Sequence, residues 1–128
     1  MEDLKQLLKR SLIYGTPNMS VKTALEITLE ENIRHLPIIQ GNKLVGIASH
    51  KDMMTKRYEE EPCQTPISAI MTENPISCYS HTPLHEAAEK MLEEKIDCLP
   101  IIESNGKVIG IVTSSDVMRA YIERVATT

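Results

Sequence analysis

The chain has 128 residues and a formal charge of −4, is 41% hydrophobic, and is only 3% aromatic, with four Tyr, no Phe and no Trp. That composition excludes a disordered or membrane-embedded chain and requires an aliphatic core. It also argues against nucleic-acid binding, which uses aromatic platforms or a basic footprint.

Three cysteines (Cys63, Cys78 and Cys98) without a Cys-x-x-Cys pair support neither a disulfide framework nor a thiolate zinc site. No apolar run reaches the roughly 18 residues that span a bilayer. The expected setting is soluble, reduced and cytoplasmic, with no membrane partner.

In chain order, residues 1–11 are too charged for a signal peptide. Leu4, Leu7 and Leu8 give them one apolar face, which predicts an N-terminal docking helix. A short extended piece follows at Leu12–Gly15. Val21, Ala24, Leu25, Thr28 and Leu29 then fall at i, i+3, i+4, i+7 and i+8, the period of an amphipathic helix, with Ser20 available as its N-cap. Strands are predicted at Leu36–Gln40 and Lys43–Ala48, joined by the two-residue turn Gly41-Asn42. A second helix follows. Tyr58–Met71, with Glu59-Glu60-Glu61 and two prolines, reads as a solvated linker entering a short helix at Ile67–Met71.

The same series then recurs. An extended Pro75–Cys78 precedes Thr82-Pro83, read as an N-cap followed by Pro at the first helical position. Leu84, Ala87, Ala88, Met91 and Leu92 repeat the helical stripe. Strands at Leu99–Glu103 and Lys107–Val112 flank a three-residue turn, Ser104-Asn105-Gly106. The last helix is expected to face inward through Val117, Tyr121, Ile122 and Val125.

The recurrence is an internal repeat. At an offset of 63 (87 − 24), identical pairs include Ala24/Ala87, Leu29/Leu92, Ile33/Ile96, Leu36/Leu99, Pro37/Pro100, Ile38/Ile101 and Ile39/Ile102. At 64 (110 − 46) the match resumes with Gly46/Gly110, Ile47/Ile111, Asp52/Asp116 and Met54/Met118. The inserted residue belongs to the longer turn. The chain is therefore an α+β protein of two β-α-β-β-α copies, each too small to be comfortable alone, packed through their sheets with pseudo-two-fold symmetry. The division is an N-terminal helix at 1–11, copies at 12–58 and 75–128, and a linker at 59–74.

Leu36-Pro37-Ile38-Ile39 followed by Leu44-Val45-Gly46-Ile47-Ala48-Ser49-His50-Lys51-Asp52 resembles a cystathionine-β-synthase (CBS) domain. Leu99-Pro100-Ile101-Ile102 with Val108-Ile109-Gly110-Ile111-Val112-Thr113-Ser114-Ser115-Asp116 repeats the pattern, and Ile70–Ile76 is similar to the approach to a second copy. The first copy departs at its start, where Leu12-Ile13-Tyr14-Gly15 stands in place of Met-Thr-x-x-Pro. Two tandem copies resemble a Bateman module, which implies binding of adenosine-containing ligands in clefts shared between copies. The resemblance places Ile13, Tyr14, Thr16, Arg34, His35 and Pro37 with Thr113, Ser114 and Asp116 in one cleft. It places Ser49, Lys51 and Asp52 with Ile76, Ser77, Cys78, Asp97, Cys98 and Pro100 in the other. Arg34-His35 favours a phosphate-bearing nucleotide, whereas Asp97 favours adenosine, S-adenosylmethionine or no ligand.

Ser49-x-x-Asp52 and Thr113-x-x-Asp116 equally suit a plain helix start, a hydroxyl cap with an acid in the first turn. The expected function is a sensor of adenine nucleotide or S-adenosylmethionine, with no required cofactor, no metal and no catalytic residue. It would form a homodimer through helix faces around Met53, Met54, Met118 and Tyr121 and signal to an effector protein. The rival reading is a ligand-free dimerisation or protein-interaction module. Cys78-x-x-His81-x-x-x-His85 has metal-ligand types, but a helix starting between the histidines separates them. Cys63 or Cys98 as a nucleophile has no ordered partner in the sequence. His35 and His50 read as polar groups of the clefts rather than general bases.

Overall fold

A computed structural model describes residues 3–8, 11–56 and 64–126. Tyr58, the acidic run Glu59–Glu61, Pro62 and Cys63 lie outside the described residues. The chain divides into two compact units, residues 13–75 and residues 1–12 with 76–128. Each is mixed α/β around a three-stranded sheet.

In the 13–75 unit, α1 (Val21–Glu31) begins at Ser20, whose Oγ accepts the Thr23 N–H at 3.1 Å. It ends at Asn32 in the left-handed region, φ 54°. β1 (His35–Gln40) and β2 (Lys43–Ser49) form an antiparallel hairpin. Gly41 and Asn42 both have positive φ, the twist a two-residue hairpin turn requires. α2 (His50–Lys56) follows, and β3 (Thr72–Glu73) pairs with β2. The core consists of Val21, Ala24, Leu25, Leu36, Ile38, Ala48, Met53 and Ile67.

The second unit repeats the helix–hairpin–helix order with α3 (Leu84–Glu94), β5 (Cys98–Ile102), β6 (Val108–Thr113) and α4 (Ser114–Ala126), but its third strand, β4 (Cys78–Tyr79), comes first. β4 runs parallel to β5, and β5 pairs antiparallel with β6. Both hairpins carry a register shift at the same place, between Ile38 and Ile39 and between Ile101 and Ile102. The inserted residue is absorbed in the second turn, closed by the Glu103 N–H to the Lys107 carbonyl at 2.9 Å. Its core comprises Leu4, Cys78, Leu84, Ala87, Met91, Leu99, Ile101, Val112 and Ala120. Both cores are free of aromatic rings; Tyr14, Tyr79 and Tyr121 are exposed.

Several expectations are corrected. The described part of residues 1–11 is a 3-10 turn at Leu4–Leu7, and its unit is that of the second copy, where Leu4 is fully buried. The helix expected at Ile67–Met71 is a 3-10 turn over Ile67–Ala69, and residues 64–75 belong to the unit of the first copy. Pro83 itself occupies the N-cap of α3, and no side chain caps that end. On α4 only Ala120 is buried and Val117 partly so, while Tyr121, Ile122 and Val125 face solvent. Met53, expected on an exposed face, is fully buried, and Met54 is half-buried.

Candidate functional site

In each unit the open end of the hairpin meets the start of the following helix. In the first, His35 opposes Ser49 across β1 and β2, and the His50 N–H donates to the Arg34 carbonyl at 2.7 Å. These bonds gather Arg34, His35, Ser49, His50, Lys51 and Asp52. Ser49 Oγ accepts the Asp52 N–H at 3.1 Å, the cap that a Ser-x-x-Asp spacing predicts. The Asp52 carboxylate is exposed and takes no hydrogen bond or ion pair from the described residues. Ile13–Thr16 lies beside buried Pro37. The Gly15 N–H donates to the Pro37 carbonyl and the Ile39 N–H to the Gly15 carbonyl, each at 2.9 Å.

The second unit builds the matching corner from Asp97, Cys98, Thr113, Ser114 and Asp116. Cys98 opposes Thr113, and the Ser114 N–H donates to the Asp97 carbonyl at 2.9 Å. Here the cap is reciprocal. Asp116 Oδ2 accepts the Thr113 N–H at 2.8 Å and the Thr113 hydroxyl at 3.0 Å, while the Asp116 N–H donates to Thr113 Oγ1 at 3.2 Å. Arg119 Nη1 donates to the other carboxylate oxygen at 3.2 Å. Cys78 pairs with Ile101, which brings Ile76–Cys78 alongside Pro100.

The predicted site residues therefore fall into two groups. Ile13, Tyr14, Thr16, Arg34, His35, Pro37, Ser49, Lys51 and Asp52 belong to the 13–75 unit. Ile76, Ser77, Cys78, Asp97, Cys98, Pro100, Thr113, Ser114 and Asp116 belong to the other. The first corner carries cationic side chains, Arg34 and Lys51, and the second carries Asp97 and Asp116. Burial first, then Asp97 and Asp116, push the Cys98 thiol up to about 12. Burial likewise raises Cys78 above its ordinary value. Neither thiol is a ready nucleophile at neutral pH.

Two side chains enter the corners unannounced by the sequence. Thr28, buried in α1, donates its hydroxyl to the Leu25 carbonyl at 2.7 Å, so the 3.2 Å contact with His50 Nδ1 has the imidazole as donor. Arg119 is the other. His81 stacks on Tyr79, ring centroids 5.6 Å apart. Among the described residues no group of three or more His, Cys, Asp or Glu side chains is placed to hold a metal ion. No helix among them is long and apolar enough to cross a membrane.

The CBS-domain family profile matches residues 4–59 and 67–123. The chain belongs to the CBS-domain family. Among solved structures, this CBS pair is similar to CBSX2 in complex with AMP, at 30% identity and a TM-score of 0.83 over 96% of this chain and 98% of that one. It is similar also to the CBS domain pair of protein MJ0100 in complex with 5′-methylthioadenosine and S-adenosyl-L-methionine, at 32% identity and a TM-score of 0.86 over 97% and 98%. Among curated proteins it is 33% identical, over 92% of its own length, to L-aspartate semialdehyde sulfurtransferase of Methanocaldococcus jannaschii. It spans 23% of that enzyme, and about a quarter or less of the other curated enzymes it matches.

Proposed function

We propose that this CBS pair is a regulatory module that binds an adenosyl ligand, an adenine nucleotide or S-adenosylmethionine, and passes the resulting conformational change to an effector protein. The observation that carries this reading is the twofold corner itself. A hydroxyl-x-x-Asp helix start beside a proline-bearing strand occurs in both repeats of a chain whose solved counterparts hold AMP, 5′-methylthioadenosine and S-adenosylmethionine. A carboxylate there accepts both hydroxyls of a ribose, and the aliphatic strand beside Pro37 or Pro100 offers a face for adenine. Arg34 and His35 favour a nucleoside phosphate, since a guanidinium pairs with phosphate oxygens in a fork. Asp97 favours a less anionic ligand such as adenosine or S-adenosylmethionine.

The reading includes a homodimer. The exposed Met118, Tyr121, Ile122 and Val125 on α4 support that contact, from which buried Met53 drops out. It also places the protein in a reducing compartment, the cytoplasm, in keeping with the free thiols of Cys78 and Cys98. It is a non-catalytic role.

A ligand-free interaction module is the second reading, favoured by one observation: both oxygens of Asp116 are already used, by Thr113 and Arg119. Calorimetric titration with AMP, ADP, ATP, S-adenosylmethionine and NADH separates the two. Binding of at least one adenosyl ligand is expected, with Arg34→Ala weakening the nucleoside phosphates more than adenosine. Absence of heat for every ligand would establish the second reading instead.

A further inference from the structure

Displaced by 63 residues, Asp3–Leu8 and Pro66–Met71 make the same contacts. The Leu4 N–H donates to the Thr82 carbonyl at 3.2 Å, and the Ile67 N–H to the Met19 carbonyl at 2.6 Å. The Lys5 N–H donates to the Ser80 carbonyl at 3.1 Å, and the Ser68 N–H to the Pro17 carbonyl at 3.2 Å. Bridges Asp3–Pro83 and Ser20–Pro66 correspond, and Leu4 and Ile67 are both fully buried. Leu8 lies over Gly110, where an added Cβ would come within 2.8 Å of Leu8 Cδ2, and Met71 lies over Gly46 in the same way.

Each segment is thus a strap seated in a preformed seat, and the two seats read the same pattern: Leu4, Leu7 and Leu8 in one, Ile67, Ile70 and Met71 in the other. The straps are exchanged with respect to sequence. Residues 4–8 open the first CBS match yet sit in the compact unit of residues 76–128. Residues 67–71 open the second match yet sit in the unit of residues 13–75.

We propose that the exchanged straps are a reciprocal coupling device, by which a disturbance at the head of one sequence repeat is felt in the core of the other. In sequence, each strap is followed by a candidate ligand segment, Ile13–Thr16 after the first and, beyond β3, Ile76–Cys78 after the second. A ligand that moves such a segment acts close in sequence to a strap buried in the opposite repeat's core. That extension to signalling rests on the proposed function, whereas the coupling itself does not.

Native-state amide exchange on the full chain without ligand tests it, comparing wild type with Leu4→Ala and Ile67→Ala. The expected pattern is crossed. Leu4→Ala speeds exchange about 30-fold or more in α3, β5 and β6 and leaves α1 and β1 near wild type, and Ile67→Ala does the reverse. Leu8→Ala and Met71→Ala, at half-buried positions, give the same crossed pattern at smaller amplitude and stand in for a variant that does not fold. Loosening confined to the sequence-adjacent repeat, with the repeat that seats the strap left near wild type, would overturn the coupling. Because no ligand enters the measurement, its outcome is independent of whether the chain binds nucleotide.

Discussion

Asp116 and Asp52 hold the same place in the repeat, yet replacing each with alanine removes different things. Asp116→Ala deletes the carboxylate that accepts two hydrogen bonds from Thr113 and the ion pair from Arg119. Loss of a cap interaction costs about 0.5–2 kcal/mol, and the largely exposed ion pair adds at most about 0.2–1 kcal/mol. A total near 1–2 kcal/mol lowers the Tm by roughly 3–10 °C for a chain of this size. Asp52→Ala retains the backbone N–H that bonds Ser49 Oγ and deletes a carboxylate with no partner among the described residues. Among the described residues this removes only its helix-dipole contribution, about 0.3–1 kcal/mol. If these carboxylates hold ribose hydroxyls, each loses two charge-assisted hydrogen bonds to ligand, which weakens binding roughly 100-fold or more. The assay is a thermal melt of each variant beside titration with AMP and with S-adenosylmethionine. Asp52→Ala is the decisive variant, because lost binding with a nearly unchanged Tm has no structural explanation. An Asp52→Ala protein that melts as low as Asp116→Ala, or variants that both keep wild-type affinity for both ligands, would refute the reasoning.

Cys98 makes the fold sensitive to alkali. Its thiol is raised from an ordinary 9.0 to about 12, so the folded state keeps a proton that the unfolded chain releases near pH 9. That contribution is complete below about pH 9 and is lost as the pH rises toward about 12. Denaturant melts should show wild type losing more stability than Cys98→Ala over this window, and parallel curves would count against it. Gly46→Ala drives a methyl into Met71 and to 3.0 Å from the Thr72 carbonyl oxygen, an overpacking cost of about 1–3 kcal/mol. Adding Met71→Ala should recover part of that loss in urea melts; simple addition of the two losses would contradict the contact.

Most of the fold was legible because the repeat makes every element appear twice. The helical stripe of α1 recurs in α3, and the Leu-Pro-Ile-Ile strands recur with their register shift. Local turn chemistry fixed the hairpins, down to the extra residue in the second turn. What periodicity does not reveal is what covers an apolar face. Val117, Tyr121, Ile122 and Val125 form a stripe on α4, but only Val117 of these meets the core, beside the small buried Ala120. Leu4, Leu7 and Leu8 likewise predict one face of a docking helix, where the structure has a 3-10 turn. Extending the 63-residue offset back to Leu4/Ile67, Leu7/Ile70 and Leu8/Met71 would have identified a strap, though not the unit that receives it, because that partnership is set by chain path rather than local pattern.

For the candidate site, spacing located the helix starts and left the state of each carboxylate open. Ser49-x-x-Asp52 and Thr113-x-x-Asp116 are the same signal, yet the second closes into a reciprocal cap and the first does not. The difference extends to the next turn, where Arg119 reaches Asp116 while the matched residue of the first repeat, Thr55, bonds back to the Lys51 carbonyl. It extends also across the helix layer, where Thr28 holds His50 and the matched pair is Met91 and Ser114. Such contacts join residues far apart in sequence or depend on side-chain choice, so no spacing rule encodes them. They make the two repeats chemically unequal. One presents a carboxylate unengaged among the described residues, with cationic neighbours, and the other an engaged carboxylate beside Asp97 and a protonated thiol. If the proposed ribose contacts form, a ligand at the first corner displaces no partner among the described residues, whereas at the second it has to compete with Thr113 and Arg119. On the proposed function, that competition predicts unequal affinity of the two carboxylates for the same ribose.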